Sequence, residues 1–206
     1  MISITTAELN AWLAAFIWPL ARVLGLVASA PILGNVDVTA SVKIGLGVLI
    51  TVLVAPILEP LPQINPASGV GMLILAQQLL IGLGMGFAVH VVFHAAEIAG
   101  ELAGLQMGLG FATLYDPSVP GQIPVIGQYL GIVVSLAFPA VDGHLVMISV
   151  LADSFRTLPI TASAPAVSGL RALADWGGSM FSYSLALSLP LLAALLIANL
   201  ALGILT

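Results

Sequence analysis

The sequence has 206 residues, 60% of them hydrophobic and only 6% charged, with a mean hydropathy of +1.19. A soluble domain carries charge on about a quarter of its residues, so these figures define a membrane protein. Four Lys and Arg against nine Asp and Glu, a net charge of −5, exclude the basic surface that nucleic acid requires, and the absence of cysteine excludes disulfides, thiolate catalysis and Cys-ligated metals.

At about 20 apolar residues per bilayer crossing, the chain has room for at most about five or six crossings. Met1 to Asn10 contains Glu8 and no cation, so it lacks the basic start of a cleavable signal. The first apolar block, Leu9 to Leu33, contains Pro19 and Arg22. Pro19 predicts a kink, and an arginine at bilayer depth must snorkel or find a partner. Of these two fates for Arg22, a buried ion pair with a neighbouring acid is favoured over snorkelling, because a Trp-Pro kink precedes it. After the polar break Gly34 to Asp37, Ile44 to Leu58 gives 15 uncharged residues. As a helix they measure roughly 22 Å, short of a roughly 30 Å hydrocarbon core.

Glu59 to Pro66 is a proline-rich connection. The next block, Gly69 to Val89, holds Gln77, Gln78 and the alternating Gly82, Gly84 and Gly86. It predicts a loose helix that another backbone can approach closely. Beyond it, His90, His94, Glu97 and Glu101 are spaced 4, 3 and 4. At about 100° per residue they fall near 0°, 40°, 340° and 20°, one polar seam on an otherwise apolar helix. Such a seam points toward protein or water, away from lipid.

Gly104 to Pro117 is too glycine-rich for a stable helix and too apolar for a solvated loop, so it belongs inside protein or along an aqueous cavity. Ser118 to Pro124 leads into the block Val125 to Val141, interrupted at Pro139 and closed by Asp142-Gly143-His144. Leu145 to Ala152 is a shorter apolar piece followed by Asp153 and Arg156, which form an i, i+3 surface pair. Thr157 to Ser168 reads as a loop. Trp176 to Thr206 then runs 31 residues without a charge, bent at Pro190. Four scattered cations give no loop the excess that would orient the chain.

As chemistry, the seam offers three readings. His90, His94 and Glu97 have adequate spacing for metal ligands, but no second cluster completes a coordination shell, and we expect no metal and no cofactor. With Asp142 and His144 the seam could relay protons in a small secondary transporter. The favoured reading is a polar seam toward partner subunits or a lumen. No local spacing joins nucleophile, base and orienting acid, so an enzyme is not expected. Gly82, Gly84 and Gly86 lack the preceding strand of a phosphate-binding fingerprint.

Several stretches are recognisable together: Phe16 to Arg22, Ala30 to Gly34, Gln77 to Gly82, Gly100 to Pro117 and Asp142-Gly143-His144. The sequence strongly resembles the FliR family of flagellar biosynthetic proteins, related to the T-component of virulence type III secretion systems. The likeness covers essentially all 206 residues as a single helical domain and is most specific at Gly104 to Ala112 with Asp116-Pro117. Family members continue some tens of residues past the position of Thr206, so the chain resembles a C-terminally short member.

The resemblance implies an all-α, membrane-associated fold of Pro- and Gly-broken helical hairpins within a hetero-oligomeric export gate. It implies FliP and FliQ as ring partners, with this subunit closing the ring, FlhB docked against it, and unfolded flagellar subunits as transient cargo. The implied location is the bacterial inner membrane within the flagellar basal body, partly in contact with lipid and with hairpins largely above the bilayer plane. By the same resemblance Leu105, Gln106, Met107, Gly108, Leu109, Gly110 and Phe111 are the pore plug. Their chemistry suits that role, since apolar side chains exclude water and the glycines let the backbone swing. The flagellar reading is preferred to a virulence system or to a proton-coupled transporter.

Overall fold

The computed structural model describes the backbone of residues 6–58, 62, 64–108, 125–161 and 167–205. Among these, every regular element is a helix: α1 (Thr6–Ser29), α2 (Ala40–Val54) extended by a 3-10 turn (Ala55–Ile57), α3 (Gly69–Gln106), α4 (Val125–Ala140), α5 (Gly143–Thr157) and α6 (Val167–Leu205).

The helices are longer than glycine and proline content predicts. The two stretches separated in sequence at Val89/His90 form one 38-residue helix, α3, about 57 Å long. It continues through Gly104 to Gln106 before turning at Met107 and Gly108. Pro19, Pro139 and Pro190 all lie inside helices, and the run expected as a loop from Thr157 becomes helical again at Val167. The short block at Ile44 begins earlier, at Ala40, and with its 3-10 turn reaches 18 residues. Among the described residues, three helices are long and apolar enough to cross a membrane: Ala40–Ile57, Gly69–Gln106 and Gly169–Leu205. Propensity is a weak prior, and packed neighbours re-satisfy the backbone groups that proline frees.

The chain forms two compact units. The first comprises Met1–His90 and Asp142–Leu173, the second Val91–Val141 and Ala174–Thr206. In the first, α1 and the start of α3 lie side by side in the same sense, with Arg22 beside Gly82 and Ser29 beside Gly86. A Cβ on either glycine would sit 2.0 Å from Arg22 O or Ser29 Oγ, respectively. Only glycine permits this approach, which gives Gly82 and Gly86 the close contact expected of the alternating glycines, whereas Gly84 faces the Leu173 side chain. Around the crossing, Trp18, Leu26, Ile50, Val54, Ile74, Leu151 and Phe155 form the buried core. Lipid tails are as apolar as these side chains, so interdigitation and buried hydrogen bonds carry helix association here.

The second unit repeats the device. Gly100 on α3 meets Gly127 on α4, where an added Cβ would lie 2.7 Å from the Gly127 Cα. Phe93 and Phe138 stack edge to face at 5.5 Å. Ala95, Ala96, Ala99 and Ala103 are buried; these small residues suit a tightly packed helix face. Between α4 and α5 the backbone turns at Asp142, the one non-glycine residue of positive φ (57°) among those described.

Candidate functional site

Arg22 is fully buried in the first unit. Its Nε and Nη2 both donate to Gln78 Oε1, Nη1 donates to Ser154 O at 2.8 Å and to Ser154 Oγ at 3.1 Å, and Nη2 donates to Leu158 O at 2.7 Å. A guanidinium carries five N–H donors, so all five are used. The ring of Phe155 covers its other face, 4.2 Å from the guanidinium carbon. The expected acidic partner is therefore corrected: the described partners are neutral oxygens. Two are carbonyls at the C-terminal end of α5, where backbone dipoles accumulate negative charge, and this is what makes a buried cation tolerable without a carboxylate. Gln78 stands out in the sequence as an amide inside an apolar block, but nothing there joins it to Arg22, and Ser154 carries no such signal.

The seam on α3 is divided between the units. In the first, His90 Nδ1 lies 3.0 Å from Ser29 O, and because a carbonyl only accepts, Nδ1 carries the proton. His90 and Phe87 also line a cavity of about 480 Å³ with Ser29, Pro31, Asn35 and Val36. In the second unit, His94 Nδ1 and Glu97 Oε2 pair at 2.6 Å. The Glu97 side chain lies against Gly131 and the stem of Glu101 against Gly127. The two α4 glycines open a groove that takes the Glu97 carboxylate and the Glu101 stem alongside the helix. Among the described residues no group of three or more His, Asp or Glu has the geometry of a metal site. Asp142 and His144 are exposed at the start of α5.

Of the plug residues, Leu105 and Gln106 form the last turn of α3, and Met107 and Gly108 form the turn that follows. Leu105 and Met107 are more than half exposed, and Gly108 takes a φ of 78°, a left-handed conformation natural to glycine. Leu109, Gly110 and Phe111 lie outside the described residues. Asp153 and Arg156 pair at 3.7 Å on the surface, as their spacing predicts.

Long apolar helices, glycine crossings and a polar seam define an all-helical membrane protein. Residues 13–206 match bacterial export proteins, family 1, and the chain belongs to that family. Its relatives carry the name flagellar biosynthetic protein FliR. That of Pectobacterium carotovorum subsp. carotovorum is 45% identical over 205 residues, 100% of this chain and 78% of the relative. The Escherichia coli K12 protein is 40% identical over the same shares, and that of Bacillus subtilis 168 is 26% identical over 92% of this chain and 74% of its own length. The chain is a membrane-located component of the flagellar type III export apparatus.

Proposed function

We propose that this protein is the subunit that closes a FliP, FliQ and FliR ring in the inner membrane of the flagellar basal body, with FlhB docked against it. It would gate the passage through which unfolded flagellar subunits leave. The stopper is Leu105 to Phe111, and the seam His90, His94, Glu97 and Glu101 serves the surrounding contacts, toward partner subunits or the lumen. The observation that carries this reading is the end of α3, which finishes in the exposed apolar residue Leu105 and is followed by exposed Met107 and a left-handed glycine turn. Apolar side chains close a narrow pore by dewetting it, and a glycine joint lets the closure move. Deleting Gln106–Phe111 from the assembled complex is expected to raise ion conductance at rest. Unchanged conductance with intact assembly would remove the stopper from this account.

A further inference from the structure

We propose that the core of the first unit holds one small monatomic anion, a halide, between Trp18 and Gln78 and beside the Arg22 guanidinium. Trp18 Nε1 and Gln78 Nε2 are buried side-chain donors without a partner among the described residues, and both residues are 0% exposed. The packing brings them to one level. Trp18 precedes Arg22 by one turn on the same face of α1, Gln78 precedes Gly82 by one turn on α3, and Arg22 lies beside Gly82 where the two helices run in the same sense. The Gln78 amide cannot turn round to redirect its N–H groups, because Oε1 must stay on Arg22 Nε and Nη2. Three N–H bonds, one from the indole and two from the amide, are thus held in the core for an acceptor.

Charge decides what kind of acceptor belongs there. Arg22 is fully buried and pairs with no acid among the described residues, whose ion pairs lie elsewhere, at His94 with Glu97 and at Arg156 with Asp153. The α5 carbonyls Ser154 O and Leu158 O offset part of the cation, since a helix C-terminus carries roughly half a negative charge. The remainder is uncompensated where charge is costly. An anion bound by Trp18 and Gln78 answers the orphaned donors and the residual charge together. Water answers only the donors, and it brings two hydrogens of its own to a place where both orphaned side-chain atoms are donors themselves. A carboxylate or phosphate brings about four or more acceptor sites, more than three N–H bonds can satisfy once all five donors of Arg22 are engaged. A single spherical acceptor is the simplest match.

The test uses the full chain recovered with its export-apparatus neighbours in one detergent, melted in gluconate and in chloride or bromide at equal ionic strength. Halide at about ten times its dissociation constant is expected to raise the Tm by about 3–6 °C. Gln78→Glu should abolish that rise, because a fixed carboxylate takes the anion's place beside Arg22. Trp18→Phe, judged by its halide response and not by its stability in gluconate, should move the halide midpoint upward by about tenfold or more. A Tm indifferent to halide overturns the proposal, and so does a rise that Gln78→Glu retains, which marks a general salt effect. Bromide bound to the wild-type protein supplies a measurement that needs no variant to fold. An anomalous scattering peak within hydrogen-bond distance of Trp18 Nε1 and Gln78 Nε2 sustains the site, whereas density there without a bromide signal assigns the donors to water and overturns it.

Discussion

Arg22 provides the most demanding test of how the first unit is held together. Its five donors occupy Gln78 Oε1, both Ser154 oxygens and Leu158 O in a buried environment. Arg22→Met keeps the stem and removes the fork, leaving at least three oxygens without donors. Each buried acceptor stripped of its partner costs about 1–3 kcal/mol, or about 3–9 kcal/mol in all. Dehydrating a guanidinium is itself unfavourable by several kcal/mol, and that cost disappears with the charge. The net expected loss is about 2–4 kcal/mol. Arg22→Lys should fare no better. A tetrahedral ammonium has three donors, cannot span Gln78 and the α5 carbonyls together, and is more strongly hydrated than a guanidinium. For a domain of this size about 3 kcal/mol corresponds to a fall in Tm of about 6–12 °C. Thermal unfolding of the purified complex in one detergent, followed by intrinsic fluorescence and by loss of native mass, measures it. If Arg22→Lys melts within 2 °C of wild type, the five-donor clamp is not what holds α5 to α1 and α3.

The glycines give a graded series. Gly82→Ala would place a methyl 2.0 Å from a backbone carbonyl and should destabilise by about 1–3 kcal/mol or more, read as a lower melting temperature. Gly84→Ala meets only the movable tip of Leu173, at 2.8 Å, and should cost less. Gly178→Ala meets nothing within 4 Å and should gain about 0.5–1 kcal/mol from helix propensity; a loss as large as that of Gly82→Ala would contradict the crossing. At position 142, Asp142→Val should lower stability by about 1–2 kcal/mol, because a β-branched side chain resists the left-handed backbone, whereas Asp142→Gly should be neutral or better in the same melt. Trp18 is fully buried, yet its indole N–H has no hydrogen-bond partner among the described residues. Trp18→Phe should therefore cost far less than Trp18→Ala, for which about 3–5 kcal/mol is expected, and equal losses would show that the indole nitrogen is bonded.

Much of this architecture is legible in the residues themselves. Hydropathy gives the membrane class. Of the alternating glycines, Gly82 and Gly86, four apart, mark the face where α1 presses on α3 while Gly84 turns toward Leu173, and the 4-3-4 spacing places Glu97 and Glu101 on one side of a helix, beside α4. What could not be read were helix continuity and the partners of Arg22. Gly104 and Pro190 are poor helix residues in isolation, but each lies within a long cooperative helix whose neighbouring turns hold it. The acceptors of Arg22 are mostly oxygens of Ser154 and Leu158, more than 130 positions away, and two of them are backbone atoms. No residue type advertises a carbonyl at a helix end, so the search for an acid looked in the wrong chemical category. The seam on α3 likewise reads as one stripe in sequence, whereas His90 is engaged with α1 and the Glu97 and Glu101 side chains pack against the glycines of α4.

The bareness of α6 has a practical side. Only 6% of its membrane-length segment is buried, and Trp176 to Thr206 carries no charge. Such a rod will collect amphiphile along most of its length, so the solitary chain travels as a mixed micelle whose size and melting depend on the surfactant chosen. Reliable biochemistry on this polypeptide therefore begins with co-expression, so that protein rather than soap is laid along that flank from the moment of synthesis.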